Sequence, residues 1–238
     1  MQMAPLDAVA TQRILVVDDD RSILDMVAQK LEHAGYGVTS ASSGEVALSL
    51  IAAQGLPHLA IVDLVMPGMG GFAFCEQVHS FCDLPIILLT AVDEEDTVVR
   101  GLQFYAEDYV VKPFSPRQLV ARVERILRRI QDFGYTTDRE VAIDASLRVG
   151  FAHQEVRVDG TPVHLTPTET KLLYILLRNA GHVVPASYLL QRLWPLEEAY
   201  EEKLRVHVRR LRAKLERDPG SPTYIVTERG SGYRFAVS

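Results

Sequence analysis

A chain of 238 residues with 47% hydrophobic residues and a formal charge of −6 has room for two modest domains, each with its own core. No run approaches the roughly 20 apolar residues of a membrane span, and the start MQMAPLDAVATQ lacks the basic, then apolar pattern of a secretory signal. Two cysteines, Cys75 and Cys82, are too few to frame a fold and sit at no common zinc-ligand spacing, so a cytoplasmic protein with reduced thiols is expected.

The charge is unevenly divided. Residues 1–130 carry 17 acids and 10 bases, net −7, whereas residues 131–238 carry 14 acids and 15 bases, net +1. Within the second part, residues 203–217 hold seven bases (Lys203, Arg205, Arg209, Arg210, Arg212, Lys214 and Arg217) against Glu216 alone.

In chain order, RILVV predicts a first strand over 13–18, and Asp20 is placed to cap a helix reaching about His33, with Ile23, Leu24, Val27 and Leu31 on one stripe. A short strand near Val38 leads to Ser43, which opens a second helix. LAIV at 59–62 is a buried strand ending on Asp63, and Gly68, Gly70 and Gly71 permit a tight loop before a helix carrying Phe72, Phe74, Val78 and Phe81. Pro85 starts a fourth strand, a helix follows through Val98, Val99 and Leu102, and a fifth strand lies near 109–111. SPRQ then begins a helix running to about Arg129, with Ser115 and Gln118 as a capping box. Five strand and helix pairs in alternation imply a parallel sheet covered on both faces. The expected organisation is a flexible N-terminus over 1–12, an α/β domain over 13–130, a polar linker over 131–139 and a second domain over 140–238.

In that second domain, short strands over 141–165 precede TPTE, a capping box of Thr166 and Glu169 with Pro167 at the first helical position. Two helices, a loop WPLEEAYEE, a basic helix near 202–216 and two strands around Gly230 and Gly232 follow. This order is an α+β winged helix-turn-helix arrangement.

Parallel strands bring their carboxyl ends to one edge of a sheet, where ligands bind in open α/β folds. That edge would collect Asp18, Asp19, Asp20, Asp63, Thr90 and Lys112. Each residue alone has an ordinary reading: a solvated loop and helix cap for the three acids, a turn former for Asp63, a surface cation for Lys112. Together they suit chemistry. Clustered carboxylates repel, a divalent cation with a taste for hard oxygen ligands relieves the repulsion, and Mg²⁺ is the natural occupant. Asp63 could then attack a phosphoryl group while Lys112 and Thr90 hold oxygens where charge develops.

On these residues, VVDD at 16–19, D-x-x-MP-G at 63–68, LTA at 89–91 and DYVVKPF at 108–114, the first domain resembles the receiver domain of two-component response regulators, a flavodoxin-like (βα)5 fold. The resemblance implies that Asp63 is phosphorylated from a sensor histidine kinase, and that Asp18, Asp19, Asp63 and the Val65 carbonyl hold Mg²⁺. It further implies that Thr90, Tyr109 and Lys112 sense the phosphoryl group and that the Lys112–Pro113 bond is cis. Asp20 matches no ligand position and is a helix cap. The chain would catalyse only its own phosphotransfer and dephosphorylation.

The second domain, by LTPTE at 165–169, RVHVRRLRAKLE at 205–216 and YIVTERGSGYRF at 224–235, resembles the effector domain of the OmpR/PhoB class. Double-stranded DNA is the implied partner, with Arg205, His207, Arg209, Arg210 and Arg212 on the helix and Thr227 and Arg229 at the wing. Val206, Leu211 and Leu215 are expected to face the core. Glu202, Lys203 and Leu204 depart from the usual opening of the helix, and Leu204-Arg205 with Thr227-Glu228 is more like the KdpE branch. The resemblance also implies a homodimer through Val98, Val99, Leu102, Glu107, Asp108, Arg117, Val120 and Arg122, and RNA polymerase as a partner of the WPLEEAYEE loop. Two other readings stand beside this one: an orphan regulator that ignores phosphorylation, and a metal-dependent phosphohydrolase, which would normally need a second Asp where Val65 stands.

Overall fold

The structure, a computed structural model, describes residues 12–91, 106–129, 140–195 and 197–236. The N-terminus, the helix expected through Val98, Val99 and Leu102, and the linker over 131–139 lie outside the described residues.

Five short strands, β1 (Arg13–Val17), β2 (Gly37–Ala41), β3 (Leu59–Asp63), β4 (Ile86–Ala91) and β5 (Asp108–Lys112), form one sheet in the order β2-β1-β3-β4-β5. Every neighbouring pair is parallel. The order reverses beside β1, so the crevice at the strands' carboxyl ends opens between β1 and β3. β1 and β3 read as continuous apolar runs because both faces of the sheet are covered. Leu15, Val17, Ala60, Val62, Ile86 and Leu88 face one layer, built on helices α2 (Gly44–Gln54) and α3 (Gly71–Phe81). Ile14, Val16, Leu59, Ile61, Ile87 and Leu89 face the other, built on α1 (Arg21–His33) and α4 (Pro116–Arg129).

Two of the expected caps form in the first domain. Asp20 accepts from Ser22 N–H and Ser43 from Val46 N–H at the starts of α1 and α2. Gly71 is obligatory for another reason: a Cβ there would lie 2.2 Å from the Asp63 carbonyl oxygen, so only glycine lets α3 start this close behind the acid. Cys75 and Cys82 are free and buried, burial pushing both thiols up to about 12, which makes them inert core residues.

The second domain opens with a four-stranded antiparallel sheet, β6 (Val141–Ala142), β7 (Leu147–Gly150), β8 (Glu155–Val158) and β9 (Thr161–His164). Helices α5 (Pro167–Arg178), α6 (Ala186–Leu193) and α7 (Glu201–Leu215) follow. A second sheet joins β10 (Val183–Pro185) to the terminal hairpin of β11 (Ile225–Glu228) and β12 (Gly232–Phe235). At Gly232, φ is +155° and a Cβ would meet the Val184 carbonyl at 2.0 Å, so glycine is required where the hairpin lies against β10.

The TPTE capping box forms as read. Thr166 Oγ1 accepts from Glu169 N–H, and Glu169 Oε2 accepts from Thr166 N–H at 2.9 Å. The same carboxylate is buried and receives Lys214 Nζ at 2.6 Å, tying α5 to α7. Burial works to raise the Glu169 pKa, but the bonds from Lys214 and Thr166 outweigh it and hold the carboxyl below the usual range. A depressed folded-state value means stability that is present above the unfolded pKa and lost as pH falls through the folded one. We expect Glu169→Gln to cost about 1–3 kcal/mol near neutral pH, read as a lowered midpoint in urea. The gap to wild type should close in acid, below the ordinary glutamate pKa.

Candidate functional site

Strand register assembles the receiver pocket. Val17 lies opposite Val62, so the next residue, Asp18, emerges beside Asp63. Asp63 lies opposite Leu89, which puts Thr90 one step beyond, and Thr90 lies opposite Val111, which puts Lys112 one step beyond that. Four positions separated by up to 94 residues come to one sheet edge because four strands end within a residue of one another.

Lys112 Nζ closes the group, donating to Asp18 Oδ2 and to Asp63 Oδ2, each at 2.8 Å. Asp18 is fully buried and Asp63 nearly so, while Asp19 is exposed. Candidate ligand atoms of Asp18, Asp19 and Asp63 lie within 4.8 Å of one another. Burial raises the Asp63 pKa, and neighbouring Asp18 adds to the rise; Lys112 opposes both without cancelling them. Burial also works against the Lys112 charge, but its two carboxylate partners hold the ammonium above its ordinary value. A site of three carboxylates against one ammonium retains negative charge, and its oxygen-only donors fit a hard divalent cation.

The remaining receiver residues are placed as follows. Thr90 is buried, its hydroxyl donating to the Ala91 carbonyl at 3.1 Å. Tyr109 is 39% exposed on β5. Val65 lies just past the acid, its N–H pointing at Asp63 Oδ1 at 3.5 Å. Asp20 caps α1 and its N–H donates to Asp18 Oδ1 at 2.9 Å, so the third acid positions the first. The Lys112–Pro113 bond is cis. Of the residues expected at a dimer face, Asp108 is held within the chain by Arg122 at 2.6 Å and Arg125 at 2.7 Å. Glu107 lies 3.6 Å from Arg192 of the second domain. Val120 is half-buried and Arg117 exposed on α4. Val98, Val99 and Leu102 lie outside the described residues.

The basic helix needs three corrections. The buried stripe of α7 is Leu204, Val208, Leu211 and Leu215, with the i, i+4, i+7, i+11 spacing of a helix face. Val206 falls on the opposite side and is 46% exposed, so it does not join the core. Arg212 does not project freely: its guanidinium donates to the Ile225 carbonyl at 2.6 and 2.9 Å and to Thr227 Oγ1 at 2.8 Å, pinning the helix to the hairpin. His207 turns toward Trp194, ring centroids 5.3 Å apart, with its Nδ1 buried and unpartnered, and burial lowers its pKa. The outward face therefore presents Arg205, Val206, Arg209 and Arg210, with Arg229 and Thr227 exposed on the hairpin. Arg205 is drawn toward the helix start by Glu201 at 2.9 Å.

Glu216 was a role the sequence concealed. It read as the one acid among seven bases, yet it is buried and accepts from the N–H groups of Thr223, Tyr224 and Ile225, capping the turn into the hairpin. Its position just after the last buried leucine of the stripe was the only local sign.

Comparison with known proteins follows the same division. The family described as "Response regulator receiver domain" matches residues 14–124, and that described as "Transcriptional regulatory protein, C terminal" matches residues 160–235. The chain is 39% identical over 232 residues to the probable transcriptional regulator ycf27 of Porphyra purpurea, covering 94% of each protein. It is 37% identical over 227 residues to the sensory transduction protein RegX3 of Mycolicibacterium smegmatis, covering 93% of this chain and 97% of that one. With the DNA-binding response regulator MtrA of Mycolicibacterium paratuberculosis it shares 38% identity over 224 residues, covering 94% of this chain and 97% of that one. Identity at this level, running through both domains, makes the chain a member of the OmpR/PhoB family of response regulators, and hence a transcriptional regulator.

Proposed function

We propose that the chain receives a phosphoryl group on Asp63 from the phosphohistidine of a sensor kinase and reads it out as a change in binding to double-stranded DNA. The observation that carries this reading is Lys112 Nζ bridging Asp18 and Asp63 at 2.8 Å each. The Asp63 carboxylate, held by Lys112 through Oδ2, has its Oδ1 beside only the long 3.5 Å contact from Val65 N–H. That oxygen can attack phosphorus as the phosphorus–nitrogen bond to the kinase imidazole breaks, the ring nitrogen keeping the electron pair and taking a proton. Lys112, released from one carboxylate, then meets the oxygens that gain charge, and the Thr90 hydroxyl can turn from the Ala91 carbonyl toward the same group. Tyr109, exposed on β5, is free to follow. Asp18, Asp19, Asp63 and the Val65 carbonyl are the residues that would hold Mg²⁺, which when bound neutralises the charge brought together by carboxylates and phosphate.

On the effector side, Arg209 and Arg210 lie outward on α7, and Arg229 and Thr227 extend the surface at the wing. They suit phosphates and guanine edges in the major groove, and exposed Val206 suits a thymine methyl. Arg212 and His207 support the helix rather than read bases. A homodimer that spans two half-sites belongs to the same proposal, with β5 and α4 as its face, as does contact of the acidic loop before α7 with RNA polymerase.

Asp63→Asn should incorporate no label from acetyl phosphate, and Asp18→Asn should lose Mg²⁺ binding by calorimetry; label entering the Asn variant would overturn Asp63 as the acceptor. If acetyl phosphate leaves wild-type affinity for its selected DNA unchanged, the chain is an orphan regulator instead. Replacing Arg209 or Arg210 by Ala should cost about 1–3 kcal/mol of DNA binding, roughly 5- to 150-fold, at one base position. Arg212→Ala should weaken all sequences alike and lower the melting temperature, because it loosens helix from wing. Sedimentation as a strict monomer both with and without beryllofluoride would remove the dimer.

A further inference from the structure

The end of the receiver sheet remote from Asp63 carries a second charged constellation. Asp83, in the turn between α3 and β4, accepts two bonds from Arg192 of α6, Nε to Oδ2 at 2.9 Å and a terminal nitrogen to Oδ1 at 2.8 Å. The same guanidinium lies 3.6 Å from Glu107, just before β5, and Arg178 of α5 donates to the Asp83 carbonyl at 3.1 Å. Tyr174 of α5 belongs to the core cluster of the receiver domain, with Phe151 edge-on at 5.2 Å between ring centroids. Lys171, one turn earlier on α5, is buried in the field of Asp83 and Arg192. α3 packs along α5, and α2 against the turn at Phe151–His153.

This is unlike a surface ion pair. The Asp83 side chain is 9% exposed and that of Arg192 31%, and a fork of two bonds onto one carboxylate is specific in direction as well as charge. Its location is equally informative. Arg205, Arg209 and Arg210 on α7 stay exposed while the domains are in contact, and the Asp63 pocket lies at the other end of the strands. The contact hides neither working surface. β4 and β5 each begin near a docking acid and carry Thr90 and Lys112 at their far ends, so the two strands that carry those residues are rooted in this surface.

We propose that Asp83 and Glu107 form an acidic receptor for Arg192 that holds the effector domain on the receiver in an arrangement competent to bind DNA, rather than a clamp that withholds the basic helix. The proposal rests on the reading of α7 as the DNA-contacting element. It makes Asp83 and Arg192 positioning residues, acting through domain orientation and touching neither phosphate nor DNA.

The test uses the full chain carrying Asp83→Arg, Arg192→Asp, both together, and Asp83→Asn, which removes the charge at constant size and is read if a reversal fails to fold. Chymotrypsin cleavage after Phe133 or Tyr135 and the radius of gyration in solution report docking. Affinity for a single selected half-site duplex at fixed salt reports access to α7. Each single variant should be cleaved at least fivefold faster and should expand, the double reversal should restore both, and half-site affinity should stay within about twofold throughout. Single variants as compact and resistant as wild type would overturn the docking role. A tenfold or greater gain in half-site affinity on undocking would overturn the competent arrangement and establish a clamp. A wild-type chain that binds no selected duplex would overturn the DNA reading and the DNA half of this proposal with it, while cleavage and size would still decide the docking half.

Discussion

One ammonium group 2.8 Å from two buried carboxylates is the constraint around which the receiver domain is arranged. Two carboxylates buried this close together repel and lose hydration; the shared ammonium offsets part of both costs. The pairing demands that β1, β3 and β5 end level with one another, which the parallel register achieves and the apolar runs on both sheet faces enforce. Gly71 answers the same demand from behind, letting α3 start against the Asp63 carbonyl.

The effector domain is organised around a different kind of bond. Here cations serve as struts: Arg212 joins α7 to the hairpin, Lys214 joins it to the α5 cap, and Arg217 reaches Asp159 in the turn between β8 and β9. Three of the seven bases in what reads as a DNA-facing run are therefore struts within the domain. The arginines left outward are fewer, and they are held on a helix that its neighbours fix in orientation. A reading surface gains specificity from such rigidity, because less side-chain and backbone entropy is lost when DNA binds.

Both domains repeat one economy of design, in which acidic groups at the ends of elements organise the backbone before any ligand arrives. Asp20 caps α1 while its own N–H orients Asp18; Glu169 caps α5 while holding Lys214; Glu216 gathers three N–H groups where α7 gives way to the hairpin.

The sequence by itself determined the order of the described strands and helices, β10 excepted, and the four pocket positions, because apolar runs that stop on Asp18, Asp63, Thr90 and Lys112 carry their meaning locally, in period and in turn chemistry. It also determined the cap at Thr166, whose two partners are three residues apart. Tertiary structure alone decided which arginines of α7 face outward, since Arg209 and Arg212 look alike until the hairpin arrives beside one of them. It alone decided that Val206 is outside and Val208 inside, a choice set by the helices packed against α7. And it alone brought Asp83 to Arg192 across 109 positions: a single acid in a turn and a single base on a helix carry no periodic signal, and only the meeting of two domains gives them a common purpose.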